Sequence, residues 1–190
     1  MKPIIDFYFD VVSPYTYIAT QQLPALAERC GAEVRWRPVL VGGLFKLIGN
    51  TAPLTLPARA KNNYKDMQRL MAYYGIEFYM PKIFPFSSLL AMRCLCALPA
   101  EQIANKAEQI FIAAWSKKQD VTQAEVLSQL LGADIVAQAE QETIKEKLKH
   151  NTAELAQRGG FGVPTFFVGE EMFFGQDRLF LLEDYLKRSA

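Results

Sequence analysis

An α/β fold is predicted, in which a βαβ half and a ββα half are separated by a large all-helical insertion. Three observations carry it. Two apolar, β-rich runs near the front, 4–9 and 34–39, enclose a helical stretch. From residue 43 the apolar period lengthens to that of helices and stays there for most of the chain. Near the end, 165–168 and 172–174 form two short strands around Gly169, with a final helix behind them. The chain therefore divides into 1–42 with 155–190 as one unit, and 43–154 as an inserted helical unit.

Each element has a local reason. Residues 4–9 (Ile-Ile-Asp-Phe-Tyr-Phe) are rich in β-branched and aromatic side chains and apolar toward both faces, which suits a central strand. Ser13 is a good helix N-cap and Pro14 fits the first helical position, so a helix starts there and runs to Cys30, where Gly31 stops it. Residues 34–39 form the second strand, with Trp36 between Arg35 and Arg37. Helical periods follow at 64–74, 87–98, 100–117, 122–131 and 133–138, punctuated by Pro53, Pro57, Pro81, Pro85 and Pro99. Thr122-Gln123-Ala124-Glu125 has the form of a capping box. A helix over 141–157 leads through a glycine-rich segment into the strand at 165–168. Gly169 to Glu171 is a tight turn, 172–174 returns as a strand, and 177–187 is the closing helix.

Composition narrows the function. The 190 residues are 51% hydrophobic and 22% charged, with a formal net charge of +1, which is a folded chain without the basic patch that nucleic acid or an anionic membrane surface requires. No run approaches the roughly 20 apolar residues of a membrane span, and Asp6 and Asp10 interrupt any secretion-type core at the N-terminus. A cytoplasmic location is expected. Cys30, Cys94 and Cys96 suit a reducing compartment and read as small core residues. No metal site is expected, and His150, far in sequence from the motifs below, is not expected to act as a general base.

Two segments at opposite ends of the chain make the chemical case together. One is a strand followed by Ser13-Pro14-Tyr15-Thr16 and a helix; the other is Gly162-Val163-Pro164-Thr165 just before a strand. In this topology they resemble the thioredoxin superfamily, where a Cys-x-x-Cys pair holds the first place and a cis-proline loop the second. Ser13 and Thr16 stand at the cysteine positions, so disulfide exchange is excluded and Ser13 is the candidate catalytic residue. Serine can donate a hydrogen bond to a thiolate brought from outside, and the cytoplasmic thiol is glutathione. A free thiol with pKa ~8.5 is about 3% ionised at pH 7, and lowering it by ~2 pH units makes it roughly 75% ionised, which requires ~2.7 kcal/mol of preferential thiolate binding. A cis bond before Pro164 would leave the N–H and C=O of Val163 to pair with an extended peptide.

The resemblance then becomes specific. Phe7-Tyr8-Phe9-Asp10 with Ser13-Pro14-Tyr15, Gly49-Asn50, Gly162-Val163-Pro164-Thr165-Phe166 and Gly175-Gln176-Asp177-Arg178-Leu179 resemble 2-hydroxychromene-2-carboxylate isomerases, relatives of kappa-class glutathione transferases, over essentially the whole chain. The resemblance implies that Ser13 activates the glutathione sulfur, and that Val163 with Pro164 pairs with the cysteinyl backbone. It implies that Gln176 and Asp177 hold the γ-glutamyl group, Asn50 faces the tripeptide and Lys61 meets its glycyl carboxylate. Position 176 departs from the pattern, since relatives often carry Asn or Ser there. The second substrate is an unsaturated or aromatic small molecule. Met80, Phe84, Phe86 and Arg93 are candidates for its pocket, although Phe84 and Phe86 suit a core as well and Arg93 either meets a substrate carboxylate or braces the fold. Isomerisation by reversible thiol addition is the first expectation. A kappa-like transferase or peroxidase and a non-catalytic binding module stand beside it, and a homodimer is expected from the resemblance.

Overall fold

β1 (Ile4–Phe9) lies in the middle of a four-stranded sheet because both of its faces are apolar enough to be covered. The structure is a computed structural model that describes residues 2–50 and 57–188; Pro53 falls outside them. β1 pairs in parallel with β2 (Glu33–Pro38), with Phe7 opposite Trp36. On its other side it pairs antiparallel with β3 (Thr165–Val168), which pairs antiparallel with β4 (Glu171–Phe174). The order β2-β1-β3-β4 joins the front and back of the chain in one sheet.

The alternation along β1 builds two cores. Ile5, Phe7 and Phe9 are fully buried on one face, where Phe7 stacks on Phe9 and Phe166 and meets the edge of Trp36. Tyr8 is buried on the other face with Val39, Leu44, Leu155 and Phe167. Burying each such side chain contributes about 1.5–3 kcal/mol, so this central strand anchors both halves of the chain.

The single helix expected from Pro14 to Cys30 is two helices, α1 (Pro14–Thr20) and α2 (Leu23–Arg29). Pro24 lacks a backbone N–H and begins a new helix near its own position, so the chain turns at Gln21-Gln22. After β2, α3 (Val41–Ile48) forms where no helix was predicted. Gly42 and Gly43 weaken its local signal, and its first turn is held from a distance: the Val41 N–H donates to the Asp10 carboxylate at 2.9 Å.

The helices continue as α4 (Pro57–Tyr73), α5 (Leu89–Ala97), α6 (Ala100–Trp115), α7 (Ala124–Leu131), α8 (Ala133–Gln138) and α9 (Glu142–Gln157). The capping box predicted at Thr122 does not form. Gln123 holds the N-cap position of α7, and Asp120 instead accepts the Thr122 N–H, the Thr122 hydroxyl and the Gln123 amide. Asp120 thus takes the Thr122 N–H that the Glu125 carboxylate of a capping box would accept, and these bonds hold Asp120 below the usual carboxylate range.

α9 returns to the sheet, where Asn151 donates to the Pro38 carbonyl and the Thr152 hydroxyl accepts the Leu40 N–H. α10 (Leu179–Arg188) buries Leu179, Leu182 and Leu186 and pairs with α2 through Arg29 and Glu183. Cys94 and Cys96 sit buried in α5, and burial pushes both thiols up to about 12. Among the described residues no helix is long and apolar enough to cross a membrane, and no His, Cys, Asp and Glu cluster could hold a metal ion.

Candidate active site

The site starts where β1 ends. Asp10 is fully buried, and its carboxylate accepts the Val12 N–H at 3.1 Å and the Val41 N–H at 2.9 Å, while its carbonyl accepts the Ser13 N–H at 3.1 Å. Desolvation raises its pKa against the opposing effect of the bonds from Val41, Ser88 and Val12. One side chain thus ties the turn before α1 to the start of α3. Sequence reasoning missed this role, although an Asp two residues before an N–H that needs a partner is a recognisable local turn signal.

Ser13 follows in an extended conformation at the N-cap of α1. Its Oγ accepts the Thr16 N–H at 3.2 Å and donates to the Val163 carbonyl at 3.4 Å. The two motifs from opposite ends of the chain therefore meet at one hydroxyl. The Val163–Pro164 peptide bond is cis, as is Phe84–Pro85. The Val163 N–H has no hydrogen-bond partner among the described residues. Pro164 passes its carbonyl to the Gly175 N–H at 2.9 Å.

Two glycines shape this loop. A Cβ on Gly162 would lie 2.8 Å from the Phe174 ring, and one on Gly175 would lie 2.5 Å from the Asp177 carboxylate, at a φ of +98° that side chains avoid. Gly175 thereby lets the 3-10 turn Gln176–Arg178 fold back, with Gln176 buried and Asp177 exposed beside Arg178.

These elements enclose a cleft of about 650 Å³. Ser13, Asn50, Val163, Pro164, Gln176 and Asp177 all line it, so six of the sequence-predicted site residues converge. Asn50 donates its amide to the Phe161 carbonyl at 3.3 Å. Lys61 is exposed on α4 and lies outside the lining; α4 presents Asn63, Asp66 and Met67 instead. Phe84 is on the wall, whereas Phe86 and Met80 border a separate cavity and Phe86 packs on Trp115. Arg93 pairs with Glu140 at 3.3 Å outside the cleft, which is the bracing role. His150 is exposed on α9 and outside the lining. Tyr15 also lines the cleft, and burial raises its phenol pKa with Asp66 and Asp177 adding to the effect.

Chemically the cleft offers a hydroxyl donor, the Val163 N–H that has no partner among the described residues, two carboxylates and an apolar wall including Val12, Phe45, Met67 and Phe84. Residues 4–187 match a family model described as a DSBA-like thioredoxin domain. The chain belongs to that family. Within it, the chain is 32% identical to a 2-hydroxychromene-2-carboxylate isomerase of Pseudomonas putida, over 97% of this chain and 95% of that one. It is 30% identical to glutathione S-transferase kappa 1 of Caenorhabditis elegans, over 98% and 92% respectively. A solved 2-hydroxychromene-2-carboxylate isomerase superposes with a TM-score of 0.86 at 29% identity, covering 97% of this chain and 95% of that one. The DsbA-like frame is thus present with Ser13 and Thr16 at the start of α1, where no disulfide can form, and with Cys30, Cys94 and Cys96 outside the cleft lining.

Proposed function

We propose that this protein is a glutathione-dependent isomerase of the 2-hydroxychromene-2-carboxylate type. One observation carries the reading: the Ser13 hydroxyl sits between the first turn of α1 and the cis-proline loop, bonded to Val163, whose N–H has no partner among the described residues, within a cleft that Asp177 also lines. That arrangement fits a short peptide laid along Val163 with its sulfur at Ser13. The close contacts at Gly162 and Gly175 shape the cradle, since a side chain at either position would collide with the wall or with Asp177.

When bound, glutathione would supply a thiolate nucleophile for reversible addition to the conjugated substrate, and the residues of the cleft would hold and orient it. Ser13 holds the sulfur as its anion by rotating its O–H from the Val163 carbonyl toward it. Val163 pairs by its N–H with the cysteinyl carbonyl, and Pro164 keeps the loop in place through Gly175. Gln176 and Asp177 receive the γ-glutamyl group, Asp177 as counter-charge to its ammonium. Asn50 contacts the tripeptide in the cleft, and Lys61, which stands outside the lining, is assigned its glycyl carboxylate. Phe84 and Met67 offer the apolar wall for the second substrate. The reading includes a cytoplasmic location and a homodimeric assembly, the latter checked by sedimentation.

A kappa-like transferase is the second reading, and the cleft lining favours it. Among the described residues that lining holds no arginine or lysine to meet a substrate carboxylate, which suits a neutral electrophile. Incubation with glutathione and an unsaturated aromatic pyruvate, in parallel with a chlorinated nitroaromatic, separates the two. Isomerisation without net loss of glutathione supports the first; conjugation without isomerisation replaces it with the second. Absence of glutathione binding in calorimetry removes both and leaves a binding module.

A further inference from the structure

The C-terminal end of α6 grips the chain on both sides of Ser13. Trp115 is fully buried, and its indole N–H donates to the Val11 carbonyl at 2.9 Å, two residues before Ser13. Among the described residues that carbonyl has no other partner. The next residue, Ser116, accepts the Tyr17 hydroxyl at 2.8 Å, four residues after Ser13, and donates to the Glu77 carbonyl at 2.7 Å. The Val11 N–H meets the sulfur of Met92 on α5 at 3.5 Å. The Val11 peptide groups and the Tyr17 hydroxyl, on either side of the Ser13 turn, are thus held from the inserted helical unit.

The same residue also holds the apolar wall. The Trp115 ring contacts Phe84 edge-on at 5.6 Å and Phe86 at 5.8 Å, and stacks on Phe78 at 5.9 Å. Phe84 lines the cleft. One rigid aromatic therefore touches both the backbone that carries the sulfur-activating hydroxyl and the surface that would seat the electrophile. A fully buried indole in a close-packed cluster has little freedom to adjust, so it sets the separation of the two.

We infer that Trp115 and Ser116 are positioning residues that set the Ser13 hydroxyl relative to the bound sulfur and to the Phe84 wall. The inference rests on glutathione being the thiol that binds. It makes the inserted helices part of the catalytic geometry, because the register of α6 decides where the hydroxyl stands.

The test compares wild type with Trp115→Phe, which removes the indole donor, and Tyr17→Phe, which removes only the hydroxyl that Ser116 receives. Leu127→Ala, in the buried face of α7, serves as a destabilised control. Acidity of the bound glutathione thiol is followed by thiolate absorbance against pH, together with kcat, glutathione Kd and Tm. The expected result is a fall of about three- to tenfold in bound-thiol acidity and in kcat for both aromatic variants, equivalent to one net hydrogen bond. Glutathione Kd measured at about pH 5, where the bound thiol is protonated in every variant, stays within about twofold, because most tripeptide contacts lie elsewhere. Leu127→Ala lowers Tm without moving thiol acidity. Thiol acidity unchanged in Tyr17→Phe, or shifted equally in Leu127→Ala, overturns the inference and leaves α6 a structural support. If wild type binds no glutathione, the proposed function fails together with it.

Discussion

Replacing Ser13 by alanine removes one oxygen that serves two ends. As the cap of α1 it accepts the Thr16 N–H at 3.2 Å, and losing such a cap costs about 1 kcal/mol of stability. As a donor to a bound thiolate it is a charge-assisted hydrogen bond worth about 1.5–3 kcal/mol, which is about 10- to 150-fold in turnover. The two effects separate in Ser13→Asp. A carboxylate caps as well as a hydroxyl, yet a second negative charge ~4 Å from the sulfur costs about 4 kcal/mol at an effective dielectric of 20. Alanine should thus lose both stability and turnover, while aspartate should recover the larger part of the stability and lose still more turnover. Urea unfolding reads the first quantity, and turnover at saturating glutathione reads the second. If turnover tracks stability across the series, or if Ser13→Asp works as well as wild type, the hydroxyl is a helix cap and nothing more.

Other consequences are simpler to state. Asp177→Ala should weaken glutathione binding about tenfold through loss of one charged contact and leave saturated turnover within about threefold; calorimetry with kinetics on the same preparation decides it. Asp10→Asn should destabilise by about 1–3 kcal/mol, because an amide has one acceptor for the two N–H groups that the carboxylate serves. Burial raises the Asp10 pKa in the native state, so wild-type stability from this group is fullest below its ordinary value of 3.8 and is lost as pH rises through the raised one. The cost of Asp10→Asn should therefore shrink with rising pH across that window; a cost that grows would show that the bonds from Val12 and Val41 outweigh burial. Cys94 and Cys96, with thiols pushed up to about 12, should resist alkylation in the native protein while half-buried Cys30 reacts first, a difference mass spectrometry reads directly.

The sequence by itself determined the features that depend on a few neighbouring residues. β1 was legible because its alternation and its bulk are local, and the start of α1 because Ser13 and Pro14 carry cap and first turn within two positions. Gly162-Val163-Pro164 and Gly175-Gln176-Asp177 could be matched to a known pattern for the same reason. Local signals also failed where a competing group stood nearby: Asp120 took the Thr122 N–H that the Glu125 side chain of a capping box would have accepted, and Pro24 divided the first helix. Only the tertiary structure decided the rest. α3 forms despite two glycines because Asp10 caps it across 31 positions and Leu44 is buried under Tyr8. Arg93 turns to Glu140 rather than to the cleft, and Asn63, Asp66 and Met67 take the α4 wall that Lys61 leaves. Side-chain direction and partner choice are settled by packing between elements distant in the chain, and periodicity carries no record of which face meets which neighbour. The hydroxyl at position 13 could be read from the sequence; that it meets the Val163 carbonyl, and that Trp115 joins the nearby Val11 carbonyl to the Phe84 ring, only the tertiary packing decides.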